Sequence, residues 1–242
     1  MGARFEDQWR TRFEEFADLC DDDAGIAGWT ATGLDARIRR FFDLWKPGPP
    51  GRRWLDAGCG AGTYTRILLR HGQSVVGVDY SLPTLLKASA RGLQGAVAVA
   101  DVRQLPFPHE QFDGVLCLGV TQALAGAEPA LRELSRLLKP GGQLWIDALN
   151  GWCLVHILGT LQRRLLGKPL HLRYESPARL KRLVRECGFT DVQLHWMPIM
   201  PAHRRGLQQL VESRHAAWTL RNVPPVGLVI SHGFIVHALK PE

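Results

Sequence analysis

Between residues 53 and 149 short apolar runs alternate with amphipathic stretches, and this alternation narrows the fold more than any other feature of the chain. RWLDAG (53–58), SVVGVD (74–79), GAVAVA (95–100), FDGVLCLG (112–119) and QLWIDAL (143–149) are nearly continuous in apolar residues. Strands read that way when both faces of their sheet are covered. The spacing between them predicts helices over 63–71, 83–92 and 129–138, the last stopped by KPGG (139–142). Strand and helix in alternation give a doubly wound α/β fold around a mostly parallel sheet.

The flanks follow other patterns. Phe13, Phe16 and Leu19, then Leu34, Ile38, Phe41, Phe42 and Trp45, recur three and four apart, so residues 1–50 read as a helical arm or lid. KPGPPG (46–51) separates this arm from a domain spanning 51–242. Beyond Asn150 the spacing predicts an inserted helix over 151–167 and a helix over 176–187 capped by Ser176 with Pro177 at its first position. FTDVQLHW (189–196) and GLVISHGFIVHAL (227–239) read as strands. Stretches at about 151–175 and 197–226, the second with a helix at 206–217, read as insertions forming a cap over the sheet's ligand edge.

Charge is divided unevenly. Residues 1–150 hold 17 Lys and Arg against 18 Asp and Glu, a balance of −1; residues 151–242 hold 13 against 5, a balance of +8. Solvated helix faces, an anionic substrate or an anionic membrane surface would each account for the excess. No nucleic-acid recognition motif accompanies it, so a nucleic-acid partner is not expected. The five cysteines are scattered without a C-x-x-C pair, which argues against disulfides and a metal site and fits a reducing, cytoplasmic compartment. MGARFEDQWR lacks the apolar core of a secretory signal. The longest apolar stretch, 152–161, is about half the ~20 residues of a membrane span.

WLDAGCGAGTYT (54–65) places glycines at 58, 60 and 62, where a strand turns into a helix. The spacing G-x-G-x-G is neither the G-x-G-x-x-G of dinucleotide sites nor the Gly-Lys-Ser/Thr loop that cradles nucleotide phosphates. Asp79 ends the next strand, where a carboxylate can accept from both hydroxyls of a ribose, and Asp101 follows at the end of the third. Those residues suggest an adenosine without an extended phosphate site.

Asp56-Ala-Gly58-Cys59-Gly60-Ala-Gly62 resembles motif I of the class I S-adenosylmethionine-dependent methyltransferases. VDYS (78–81), ADV (100–102) with LPF (105–107) and FD (112–113), and LREL (131–134) through LKPGG (138–142) resemble further stretches of that family, in order. The resemblance covers roughly residues 50–150, and more weakly the 174–189 segment and the last strand. It implies a seven-stranded sheet with its last strand antiparallel, and S-adenosylmethionine as cofactor with S-adenosylhomocysteine as product. It also implies roles: Asp56 holding the cofactor's ammonium end, directly or through water, and Gly58 and Gly60 bringing backbone amides to its methionine part, with Cys59 and Gly62 in the same turn. Asp79 would take the ribose, Tyr80 would lie beside the adenine, and Asp101 and Val102 would meet the adenine edge. Leu118 and Gly119 would pass beneath the cofactor, with the arm's aromatics as a lid.

The acceptor side is less determined. Relatives often carry a histidine in the loop after the fourth strand, whereas GVTQAL (119–124) has none. A base must then come from the insertions, and His171 is the preferred candidate, beside Tyr174, His203, Asn150 and Tyr64 as pocket candidates. His195, His232 and His237 fall in predicted strands, where a packed or hydrogen-bonded histidine is the expectation. The expected activity is methyl transfer to a small or medium organic acceptor, through oxygen, with a natural-product, sugar or lipid-linked substrate. Carbon methylation of a quinone-like or lipid acceptor and a non-catalytic cofactor-binding scaffold are the alternatives. GWCLVHILGTLQRRLLGKP (151–169), apolar and then basic, reads as a helix packed in the cap ahead of a peripheral membrane contact.

Overall fold

The computed structural model describes residues 2–168, 172–200 and 205–242, and the alternating segments build one seven-stranded sheet in them. Three helices precede it: α1 (Gly2–Leu19), α2 (Asp23–Ile26) and α3 (Ala31–Leu44). Asp22 caps α2 by accepting from the Gly25 amide at 2.9 Å, and Thr30 caps α3 through the Gly33 amide at 3.1 Å. The alternating region then runs β1 (Arg53–Ala57), α4 (Thr63–Arg70), β2 (Ser74–Asp79), α5 (Leu82–Ala88), β3 (Val97–Val99), β4 (Phe112–Cys117), α6 (Glu128–Leu137) and β5 (Leu138–Leu149). The last part contains α7 (Leu154–Leu165), α8 (Pro177–Glu186), β6 (Thr190–Met197), α9 (Arg205–Val211), α10 (Arg214–Asn222), α11 (Pro224–Ile230) and β7 (Gly233–Leu239).

Strand order is β3-β2-β1-β4-β5-β7-β6. The first five strands are mutually parallel, and β7 runs antiparallel to both β5 and β6. The Gly58 turn, the end of β4 and the start of β7 therefore share one edge. Chain reversal between β1 and β4 opens a crevice there, the usual ligand position of open α/β sheets.

Two apolar clusters hold the layers together. Leu131, Leu134 and Leu137 of α6 and Leu180 and Val184 of α8 pack with Phe112, Val115, Ile146 and Val236. On the other cluster Phe41 and Trp45 join Trp54, Leu68, Leu116 and Trp145. Phe41 and Trp45 stack with ring centroids 5.5 Å apart, and each buried ring contributes roughly 2–3 kcal/mol. Of the arm expected over 1–50, α3 is thus part of the sheet's packing, while its Leu34 and Arg37 also reach the crevice. Helices α1 and α2 lie over the crevice, with Phe13 edge-on to Tyr80 at 6.2 Å.

Three expectations need correction. Residues 227–230 are helical, because Pro224 and Pro225 open α11 and β7 begins only at Gly233, opposite Leu149. Ser176 occupies the cap position of α8 without a side-chain cap bond. The apolar inserted helix is present as α7, but only His156 within it is buried and most of its apolar side chains are exposed, so the close packing expected of it is not seen among the described residues.

Candidate active site

The crevice is a cavity of about 260 Å³. Its floor is the turn from β1 to α4, where Gly58, Gly60 and Gly62 all take positive φ, at +82°, +54° and +82°. Only glycine adopts this region without strain. The amides of Gly58 and Cys59 donate to the Val78 carbonyl at 2.7 and 2.9 Å, and that of Gly60 donates to Asp79 Oδ2 at 3.0 Å. All three of these donors are thus engaged within the protein. A Cβ on Gly60 would meet nothing within 4 Å, whereas one on Gly58 would strike Val120 Cγ2 at 2.2 Å and one on Gly62 would strike Leu93 Cδ1 at 2.1 Å. Gly60 leaves open space on the cavity side; Gly62 serves packing and does not line the cavity.

Asp79 faces this space, its carboxylate oriented by the Gly60 amide and by the Ser81 amide at 2.9 Å. Burial pushes its carboxyl above the ordinary range, opposed by the hydrogen bonds from Ser81, Gly60 and Tyr80. Tyr80 lines the cavity beside it, and its hydroxyl is buried with no hydrogen-bond partner among the described residues. Asp101 and Val102 lie further along the same wall. Both Asp101 oxygens are engaged by Arg103, at 2.9 Å from Nε to Oδ1 and 2.6 Å from Nη2 to Oδ2, which holds this carboxyl below its usual range. Glu6 of α1 pairs with Arg103 and accepts from the Ala125 amide at 2.9 Å, which straps α1 across the opening. Cys59, Leu118 and Gly119 also line the cavity, as does Tyr64, whose ring packs edge-on against Phe41 at 5.5 Å.

Asp56 does not line the cavity. It is buried beneath the glycine turn and accepts from Thr65 Oγ1 at 2.7 Å. Burial pushes its carboxyl up to about 6, opposed by the Thr65 hydrogen bonds.

An ion pair not anticipated from the sequence occupies the far wall. Arg37 of α3 and Asp147 of β5 are both buried, pair directly and line the cavity. The Arg37 guanidinium also lies over the Trp29 ring, 3.8 Å from its centroid. Asp147 accepts from the Gly119 amide at 2.7 Å, and burial raises its carboxyl against the pull of Arg37. Arg37 uses Nη1 for the pair, while Nε and Nη2 are buried without partners among the described residues. The sequence did carry a signal. Arg37 stands three residues after Leu34 and four before Phe41 on the apolar stripe of its helix, and Asp147 interrupts the apolar run QLWIDAL. Opposite charges in two buried positions must find each other or something else.

Of the acceptor-side candidates, Asn150 is a structural clasp. Its side chain donates to the carbonyls of Leu228 and Ser231 at 2.7 and 2.9 Å and accepts from the Trp152 amide at 3.0 Å. Tyr174 packs against His156, ring centroids 4.5 Å apart. His171 and His203 lie outside the described residues. The structure instead joins two other histidines in a relay: His156 Nδ1 lies 2.8 Å from the Asn150 carbonyl, and its Nε2 lies 2.9 Å from His232 Nδ1. A carbonyl can only accept, so His156 donates from Nδ1 and, when neutral, accepts at Nε2 from His232. His232 Nε2 then carries a lone pair. Burial, followed by the charge of Arg37 and by His156, pushes His232 down to about 3. Among the described residues no group of three His, Cys, Asp or Glu could hold a metal ion.

A sequence model described as a methyltransferase domain matches residues 55–146. The chain is 31% identical over 201 residues to the ubiquinone biosynthesis O-methyltransferase of Pseudomonas aeruginosa, covering 77% of this chain and 81% of that one. The chain is a class I S-adenosylmethionine-dependent methyltransferase. Among solved structures this methyltransferase is similar to the methyltransferase component of the Haloferax volcanii complex with the Trm112 activator, with a TM-score of 0.68 at 19% identity over 95% of this chain and 98% of that one. It is also similar to phosphoethanolamine N-methyltransferase 2 of Haemonchus contortus, solved with S-adenosylhomocysteine, with a TM-score of 0.62 at 21% identity over 95% and 60%. The likeness to these two structures shows the shared fold. The cavity's residues fit the cofactor: open space over Gly60, an oriented carboxylate at Asp79 and a buried guanidinium edge with free donors at Arg37.

Proposed function

We propose that this methyltransferase methylates a hydroxyl oxygen of a small or medium organic acceptor. The observation that carries the reading is the relay from the Asn150 carbonyl through His156 to His232, which stands just before β7 at the sheet's ligand edge and keeps its Nε2 lone pair out of the relay. Its nearness to the donor cavity is marked by Arg37, a cavity residue whose charge bears on both histidines. The Pseudomonas aeruginosa relative, named as an O-methyltransferase, supports the same reading.

In the donor half Asp79 would take the ribose hydroxyls, Tyr80 would lie along the adenine, and Arg37 Nε and Nη2 would take the methionine carboxylate. When bound, S-adenosylmethionine supplies a methyl group on a positively charged sulfur. The protein aligns the acceptor oxygen behind that carbon and excludes water. The methyl carbon would pass from sulfur to the acceptor oxygen with the bonding pair left on sulfur. His232 Nε2 would accept the hydrogen bond from the acceptor hydroxyl, orient its lone pair for attack, take the proton that becomes strongly acidic as oxygen gains the methyl group, and release it to water.

Labelled methyl donor supplied with a panel of phenols, catechols and amines tests the proposal. Label is expected in methyl ethers; label in methylamines or on carbon would overturn the assignment. His232→Gln is expected to lower kcat at least tenfold while leaving the calorimetric Kd for the donor unchanged. With His232 pushed down to about 3, the wild-type rate should show no inflection from this group near neutrality.

A further inference from the structure

We propose that α7, together with the neighbouring α9–α11 segment, is a docking face for an anionic lipid bilayer. Most of the helix's apolar surface is left open by the described residues. Cys153 and His156 anchor its start, yet Val155 is 68% exposed and Leu165 79%, with Leu154, Leu158 and Leu161 exposed beside them. A helix that is apolar on most of its faces is ordinarily buried. Its neighbour α11 packs against it, and the adjoining segment exposes Leu210, Val229 and Trp218, the last at 65%. Trp152 stands exposed at the other end of the patch. Amphipathic aromatics of this kind favour the level of lipid headgroups.

Charge selects the occupant. Residues 151–174 contain no Asp or Glu, while Arg164 and Lys168 stand exposed at the end of α7 and Arg214 and Arg221 on α10. A second copy of this face would bring further cations against a single carboxylate, Glu212, which already pairs with Arg39. A surface of anionic headgroups meets both the apolar and the basic parts. No described helix is long and apolar enough to cross a membrane, and α7, at 12 residues, extends only about 18 Å. It would lie in the interface plane with its leucines among the acyl chains.

The position gives the docking a use. Helix α7 leaves the sheet just after β5, and α11 returns to it just before β7, so the face adjoins the edge that holds His232. An acceptor dissolved in the bilayer would reach that edge without passing through water.

Co-sedimentation of the full chain with vesicles tests this independently of acceptor identity. Binding is expected to an equimolar mixture of phosphatidylcholine and phosphatidylglycerol, and to be weaker on phosphatidylcholine alone. Leu158→Asp with Leu161→Asp should abolish sedimentation while preserving calorimetric donor binding, which shows that the fold is intact. Arg164→Gln and Lys168→Gln should each weaken binding about five-fold, a basic residue near such a surface contributing about 1 kcal/mol. Failure of the folded wild type to bind the mixed vesicles would overturn the proposal. So would retention by the aspartate variant, or a dimer in sedimentation, broken by the same aspartates, without vesicle binding.

Discussion

Gly58 and Gly60 share a backbone region but answer to different neighbours, and substitution separates them. Gly58→Ala drives a Cβ into Val120 Cγ2, so the variant is expected to lose about 1–3 kcal/mol of stability. Gly60→Ala meets open space and should stay folded at a cost of about 1 kcal/mol for its positive φ. Its new methyl group instead occupies the cradle, and donor affinity is expected to fall tenfold or more. Thermal unfolding and calorimetry read the two effects, and an unchanged donor Kd in Gly60→Ala would remove the cradle from the site. These glycines were legible in the sequence because spacing is a backbone property. The fate of their amides was not, since that depends on where Val78 and Asp79 lie in the next strand.

At the level of elements, α3 does two things: Phe41 and Trp45 seat it on the sheet, and Arg37 reaches Asp147 on β5. Arg37→Ala leaves a buried carboxylate without its counter-charge and is expected to cost about 3–5 kcal/mol. Joint replacement by Arg37→Met and Asp147→Leu should recover most of that stability and still bind the donor poorly. Recovery of donor binding in the double variant would show that the pair only props the fold. Strands and helices between 53 and 149 were readable because local periodicity and tertiary position agree there. Agreement ends at 227–230, where an apolar run reads as strand yet two prolines and the length of β5 make it helix. The His156–His232 contact spans 76 positions of chain and has no local signature at all.

Whole-molecule stability should carry the mark of Asp56. Its carboxyl stands near 6 in the fold against 3.8 ordinarily, mainly because it is buried. Below the lower value both states hold the proton and the fold bears no penalty. As pH rises the unfolded chain releases its proton first, so stability declines until the folded group also ionises, a total of about 3 kcal/mol at most. Asp56→Asn should therefore gain on the wild type as pH rises from about 4 to 6, with Asp79 and Asp147 leaving a residual slope of the same sign. Chemical denaturation at a series of pH values checks this, and a constant difference between the two proteins would refute it. Strand order carries a different consequence. The last of the seven strands in the chain, β7, lies between β5 and β6, so β6 has no partner in the sheet until β7 arrives. During synthesis the growing chain must hold an unpaired strand and an uncovered sheet edge until those residues emerge, and nascent chains arrested before residue 233 should be the ones that chaperones retain.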